Sequence, residues 1–288
     1  MNNFINIGPG RCATSWLYAA LLEHPEVVTS KSKETNFFNC NYNKGVDYYI
    51  SLFPSQGKIF GEISNLYFSN PNVAARIYDF NPDTKIIINL REPFSLALST
   101  KVFGLRRAMN LTGKTIFDIS YADIMGDGKK CDSPLSMAEA LNYLHVVENY
   151  VSIFGKNNIY FLIYERIGKE PELVVKELYE FLGVNSNFSP KSLHTVINPS
   201  ASPRNQYLAR LSRVASRFLR KLGFLSLIDK LKRSSFIRCM IFKDSFNPAL
   251  SAVALGAVLN QDERDFLLES KSLFLEKIPE LNRWWIDE

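Results

Sequence analysis

Hydrophobic positions along the chain switch repeatedly between the spacing of strands and that of helices. Phe4–Ile7 is a short apolar run that reads as a first strand, and Ser15–Leu22 carries Trp16, Leu17, Ala20 and Leu21 at helical spacing. Val27–Thr29 is a short second strand. Lys58–Ile63 and Lys85–Leu90 read as buried strands, the latter with consecutive isoleucines at 86, 87 and 88. Glu92–Phe103 and Leu135–Phe154 predict helices, and Ile159–Tyr164 predicts another buried strand. A helix over Glu172–Leu182 follows and stops at Gly183. Strands alternating with helices imply an α/β fold, a central parallel sheet flanked by helices. Ligands in such sheets bind beyond the carboxyl ends of the strands.

Composition narrows this without redirecting it. At 288 residues, 46% hydrophobic and 22% charged, the chain can bury a core of its own. No apolar run approaches the ~20 residues of a membrane span; the longest, Leu250–Leu259, is interrupted by Ser251 and Gly256. The start, Met1-Asn2-Asn3, carries no basic residue of the kind a signal peptide has. Cys12, Cys40, Cys131 and Cys239 show neither CxxC nor zinc spacing, so a reduced, metal-free, cytoplasmic protein is expected. Residues 1–200 are expected to form the core, with 201–288 as a helical C-terminal extension packed on it, one functional domain in all. The net charge of +5 suits an anionic ligand at least as well as nucleic acid.

The first strand runs into Gly8-Pro9-Gly10-Arg11-Cys12-Ala13-Thr14-Ser15 and then a helix. Such a turn presents backbone N–H groups and the positive end of the helix dipole, a site for an anion. Gly8-x-Gly10-x-x-Ala13 fits a dinucleotide fingerprint. The acid that holds a ribose is missing after Val27–Thr29, where Ser30-Lys31-Ser32-Lys33 follows; a form that binds a 2′-phosphate survives. The same loop sits in Walker A register, but Thr14 stands in place of the lysine, and the strand at 85–90 ends in Arg91 where a magnesium-binding acid belongs. A third reading keeps the loop and takes Arg11 as its cation, with Thr14 and Ser15 opening the helix.

That third form resembles the 5′-phosphosulfate loop of sulfotransferases that use 3′-phosphoadenosine 5′-phosphosulfate (PAPS). Further segments resemble the family in order. Lys33-Glu34-Thr35-Asn36-Phe37-Phe38 is similar to the Lys-Glu-x-x-Phe-Phe segment of carbohydrate sulfotransferases. Its continuation through Tyr48-Tyr49 to Phe53-Pro54 resembles the sulfotransferase domain of heparan sulfate N-deacetylase/N-sulfotransferases. Gly61-Glu62-Ile63-Ser64 with Tyr67, Leu90-Arg91-Glu92-Pro93 with Ser99, and Tyr164-Glu165-Arg166-Ile167 through Phe181-Leu182-Gly183 match later family blocks. Asn198 and Pro203-Arg204 resemble a cofactor-covering loop, and Trp284-Trp285 a C-terminal tryptophan.

The resemblance implies a P-loop-like fold and transfer of a sulfuryl group from PAPS to a hydroxyl or amine of a sugar or small polar metabolite, releasing 3′,5′-ADP (PAP), with no metal. It implies that Gly10, Arg11, Cys12, Ala13, Thr14, Ser15 and Trp16 hold the 5′-phosphosulfate and that Arg91 and Ser99 hold the 3′-phosphate. Asn198 and Arg204 would cover the nucleotide. Glu34 is the expected general base and Arg11 the expected cation at the leaving group. His24, before Pro25, is expected to be a structural helix-end residue. Ala13 replaces a family glycine and Ile63 a lysine near many glycosaminoglycan acceptors; the second change favours a neutral or cationic acceptor. A kinase-like phosphotransferase and a non-catalytic PAP- or PAPS-binding protein are the alternatives.

Between Arg204 and Lys243 there are eleven Lys or Arg against one acid, Asp229. Apolar residues recur there at helical spacing, so the segment reads as an amphipathic helix with a solvated basic face, a lid, or a peripheral membrane contact. No nucleic-acid module accompanies the charge.

Overall fold

The computed structural model describes residues 3–54, 57–106, 114–120, 124, 136–195, 201–203, 242–244 and 259–286. Five strands form one parallel sheet in the order β2-β3-β1-β4-β5. They are β1 (Asn3–Asn6), β2 (Val27–Thr29), β3 (Ile59–Ile63), β4 (Lys85–Leu90) and β5 (Ile159–Ile163). The apolar strand runs are buried because helices cover both faces. Ile86, Ile88 and Leu90 of β4 pack in one cluster, and Ile87 in the other. Helices α1 (Thr14–Glu23) and α8 (Pro171–Leu182) cover the face of Ile87 through Leu17, Leu21, Val174 and Leu178. The opposite face receives α3 (Asn72–Phe80), α6 (Leu144–Phe154) and α9 (Gln261–Lys277) through Ile77, Val147 and Phe274.

The remaining helices are α2 (Val46–Ser51), α4 (Pro93–Arg106), α5 (Met137–Leu141), α7 (Tyr164–Lys169) and α10 (Asn282–Trp285). The expected single helix over Leu135–Phe154 is two helices, broken at Asn142–Tyr143. The break turns the Tyr143 ring into the core, where its hydroxyl meets the backbone of Arg91. His24 ends α1 as expected: its Nε2 lies 3.0 Å from the Asn185 carbonyl and its Nδ1 accepts from the Glu26 N–H.

The chain leaves β1 toward β2 and β3 and later crosses to β4 on the other side, so the direction of the sheet reverses between β1 and β4. Their carboxyl ends flank the crevice where such sheets bind ligands. Met1–Ile197 and Leu255–Glu288 form one compact unit; Asn198–Ala254 form a second, in which Ala201–Pro203 pairs antiparallel with Phe242–Asp244. Asn198, Arg204 and most of the basic segment lie outside the described residues.

The expectation of four reduced cysteines is corrected. Cys40 is disulfide-bonded, while Cys12 is a free, buried thiol. Spacing alone does not show which distant thiols a fold brings together. A disulfide persists in oxidising surroundings, which removes the ground for a cytoplasmic assignment. Among the described residues no helix is long and apolar enough to cross a membrane.

Candidate active site

The loop after β1 is held against the end of β4 by side chains of both strands. Asn6 donates to the Ile87 carbonyl and to Asn89 Oδ1, and Asn89 donates to the Cys12 carbonyl at 2.6 Å. Gly8 lies so close to this strand that a Cβ there would stand 2.5 Å from the Asn89 nitrogen. Arg11 and Ala13 both adopt left-handed backbone, with φ of 71° and 59°. These turns lead into α1, whose first-turn amides no helical carbonyl can satisfy. Ala13 occupies the N-cap and makes no side-chain cap. Burial pushes the Cys12 thiol up to about 12, so it stays protonated and serves as packing, not as a nucleophile.

A left-handed alanine carries a Cβ clash that glycine lacks, worth ~1 kcal/mol after glycine's greater entropy is counted. Ala13→Gly is therefore expected to raise the unfolding midpoint by about 2 °C in a chain of this size. Thermal denaturation checks it; a lower midpoint would show that the loop geometry is not strained at this residue.

Lys33 and Glu34 enter the same crevice from the segment after β2. The Lys33 ammonium donates to Thr14 Oγ1 at 3.0 Å and lies 3.0 Å from Glu34 Oε1. Glu34 Oε2 accepts the Asn65 N–H at 2.7 Å, and the Glu34 N–H donates to the Ile63 carbonyl. Glu34 and Asn36 are left-handed as well, with φ of 64° and 49°. Backbone held in this region needs surrounding structure that over-determines it. Part of that support is Glu62, which is wholly buried and accepts from Thr35, Ser64 and Tyr67. Those hydroxyls in turn receive the N–H groups of Asn36, Phe37 and Phe38.

Burial pushes the Glu62 carboxyl up, and the hydroxyls of Thr35, Tyr67, Ser64 and Tyr49 offset part of the rise. The folded protein thus holds a proton that the unfolded chain releases. The stabilisation is complete below the usual carboxylate range, near ~4.3, and is lost as pH rises through the folded value. Glu62→Gln, which imitates the protonated form, should remove this loss. Denaturant midpoints measured from pH 4 upward should fall faster for the wild type than for the variant; parallel curves would refute the assignment.

Arg91, the residue after β4, is fastened on every side. Its Nε and Nη2 donate to Ser95 Oγ at 3.0 and 2.8 Å, and Nη1 donates to the Arg11 carbonyl at 2.6 Å. The guanidinium lies 4.0 Å from the centre of the Tyr164 ring. Arg11 itself reaches α4: its Nε donates to Ser99 Oγ at 3.1 Å, and its guanidinium sits 5.0 Å from the Phe103 ring centre. Glu165, pushed up by burial, accepts from the Glu92 N–H and from the Trp285 indole, tying the C-terminal helix to this strand end. The crevice therefore carries two separate cationic places, one at Thr14 and Lys33 and one at Arg91, Arg11 and Ser99, with a carboxylate beside the first.

A sulfotransferase domain model matches residues 2–223 of this chain. The chain belongs to the sulfotransferase family. The membrane-associated sulfotransferase kil1 of Dictyostelium discoideum is 32% identical over 109 residues, 36% of this chain and 23% of that protein. Bifunctional heparan sulfate N-deacetylase/N-sulfotransferase 1 of Caenorhabditis briggsae is 25% identical over 206 residues, 67% of this chain and 24% of that protein. The chain thus spans about a quarter of the length of these two curated relatives. The crystal structure of a sulfotransferase from Alicyclobacillus acidocaldarius superposes with a TM-score of 0.58 at 26% identity, covering 80% of this chain and 96% of that one. The expected P-loop-like architecture, a parallel sheet flanked by helices, is that of the sulfotransferases.

Within this member of the sulfotransferase family the fold brings Arg11, Thr14, Glu34, Arg91 and Ser99 around one crevice, although they are spread over 89 positions, counting Arg11 to Ser99 inclusively. Trp16 is buried beneath it, its indole donating to the Leu193 carbonyl. Sequence reasoning passed over Lys33, Glu62, Ser95 and Tyr143 as site-forming residues. Ser95 had a signal, one helical turn after Arg91. Lys33 had one too, as the first residue of the Lys33–Phe38 segment that resembles the family, although a lysine beside a glutamate by itself reads as a solvated pair.

Proposed function

We propose that this chain transfers the sulfuryl group of PAPS to a hydroxyl or amine of a sugar or small polar metabolite and releases 3′,5′-ADP. The observation that carries the reading is the pair of separated cationic places with Glu34 beside one of them. PAPS bears two anionic groups, and its adenosine spans the distance between them. The amides of residues 11–16 are suited to the 5′-phosphosulfate. Arg91 and Ser99 are suited to the 3′-phosphate, which a planar guanidinium grips through two donors. Glu34 takes the proton of the acceptor as its oxygen or nitrogen attacks sulfur. The new bond to sulfur forms while the bond from sulfur to the 5′-phosphate oxygen breaks, and 3′,5′-ADP departs with the electron pair.

Ile63 favours an acceptor without a polyanionic partner site here, since it is wholly buried beside β1 and places no cation in the crevice. The names of the heparan sulfate relatives support a sugar acceptor in class. A kinase-like reaction is the weaker reading, because Thr14 occupies the Walker lysine position.

Calorimetric titration with 3′,5′-ADP, 5′-AMP and Mg-ATP tests the reading. Tight, metal-independent binding that needs the 3′-phosphate is expected. Preference for Mg-ATP, or no discrimination between 3′,5′-ADP and 5′-AMP, would overturn it.

A further inference from the structure

The chemistry proposed above gives no part to Tyr164, Glu165 or Trp285, yet the fold gathers all three at the end of β4. Leu90 of β4 pairs with Ile163 of β5, and the contacts carry that register past both strand ends. Arg91 meets Tyr164, whose ring centre lies 4.0 Å from the guanidinium. Glu92 meets Glu165, whose Oε1 accepts the Glu92 N–H at 3.0 Å. Burial pushes the Glu165 carboxyl up, and the bonds from Glu92 and Trp285 and the charge of Arg91 offset part of the rise.

The other oxygen of Glu165 is held by the C-terminal segment. Its Oε2 accepts the indole N–H of the buried Trp285 at 3.0 Å. The same indole meets Phe274 of α9 edge-on, with ring centres 5.4 Å apart, and Phe274 lies 4.6 Å from the Tyr143 ring. The Tyr143 hydroxyl accepts the Arg91 N–H at 3.1 Å. Trp285 thus bears on two consecutive backbone amides, at Glu92 through Glu165 and at Arg91 through Phe274 and Tyr143. Fixing both amides fixes the direction in which the Arg91 side chain departs. A guanidinium fork grips a phosphate through two parallel donors, so its direction decides how much of that contact is made.

We propose that Trp285 is a positioning residue for Arg91: through Glu165 it sets the direction of the guanidinium, and with it the preference for a nucleotide that bears a 3′-phosphate. The proposal rests on the PAPS reading, in which Arg91 meets that phosphate. Trp284, the neighbour in the chain, keeps other company. Its ring centre stands between 4.9 and 5.8 Å from the cations of Arg283, Arg166 and Lys169.

Calorimetry of the full chain with 3′,5′-ADP and 5′-AMP tests this. Trp285→Phe keeps a ring against Phe274 and removes the N–H that Glu165 accepts. It should weaken 3′,5′-ADP by about fivefold, the scale of one hydrogen bond, and 5′-AMP by less than about twofold. Trp284→Phe should leave both within about twofold. The loss caused by Trp285→Phe should vanish in an Arg91→Ala background, where no guanidinium is left to place. Equal loss of the two nucleotides, a loss of the same size in Trp284→Phe, or an undiminished loss in the Arg91→Ala background would each overturn the proposal and leave Trp285 a purely structural part. Glu165→Gln replaces Trp285→Phe if that variant fails to fold, and is read the same way. Its amide oxygen can still take the Glu92 N–H, while its amide nitrogen cannot accept from the indole. A wild-type protein that does not distinguish 3′,5′-ADP from 5′-AMP would instead sink the PAPS reading itself.

Discussion

Glu34→Gln is expected to slow sulfuryl transfer by about 10²-fold or more, the usual loss when a general base is removed. The substitution is nearly isosteric. A glutamine oxygen can still accept the Asn65 N–H that Glu34 Oε2 accepts at 2.7 Å, and the left-handed turn at 34 is kept in place through Ile63. What is lost is the capacity to take the acceptor's proton. Affinity for 3′,5′-ADP should stay within about twofold, since neither of the proposed phosphate places includes this carboxylate and a neutral amide keeps the same shape. Turnover of PAPS with an acceptor found by screening measures the first quantity, and calorimetry the second. Undiminished turnover would place the base elsewhere. A large loss of nucleotide affinity would show that Glu34 orders the Lys33 ammonium and does not act on the proton.

Arg91→Ala is expected to weaken 3′,5′-ADP by about 10²-fold, the scale of losing a bidentate charge-assisted contact. Binding of 5′-AMP should weaken as well, by a smaller factor. The structure supplies the reason for the second effect: Arg91 also holds the Arg11 carbonyl, so its removal loosens the loop proposed for the 5′-phosphate. Arg91→Lys should recover little of either. A lysine cannot bond Ser95 and the Arg11 carbonyl at once while lying over Tyr164. Identical losses for the two nucleotides would confine Arg91 to supporting the loop.

Much of this architecture is legible along the chain because its signals are local. The run at Ile86–Ile88 can only be a strand buried on both faces, and both hydrophobic clusters do claim parts of it. The turn at Gly8–Ser15 announces an anion site through backbone geometry that glycine, proline and a following helix specify nearby. The helix over Leu135–Phe154 shows the limit. Its apolar spacing is continuous, yet the helix breaks at Tyr143 because the tyrosine hydroxyl satisfies the Arg91 backbone in the core. No periodicity contains that competition.

The sequence by itself determined the sheet class, the anion loop, the acid at 34 and the arginine at the end of β4. Each depends on residues close together in the chain or on an ordered set of motifs. Only the tertiary structure decided which side chains each cation meets. Arg11 and Ser99 meet across 88 positions, and Lys33 and Thr14 across 19. Such pairings arise from the register of β1 against β4 and from the left-handed turns at Arg11 and Glu34, which aim side chains in directions that spacing does not encode. The buried carboxyl group of Glu62 belongs to the same class. Along the chain it is one acid in a strand, and only the closing of three hydroxyls around it makes it the support beneath the left-handed turn at Glu34.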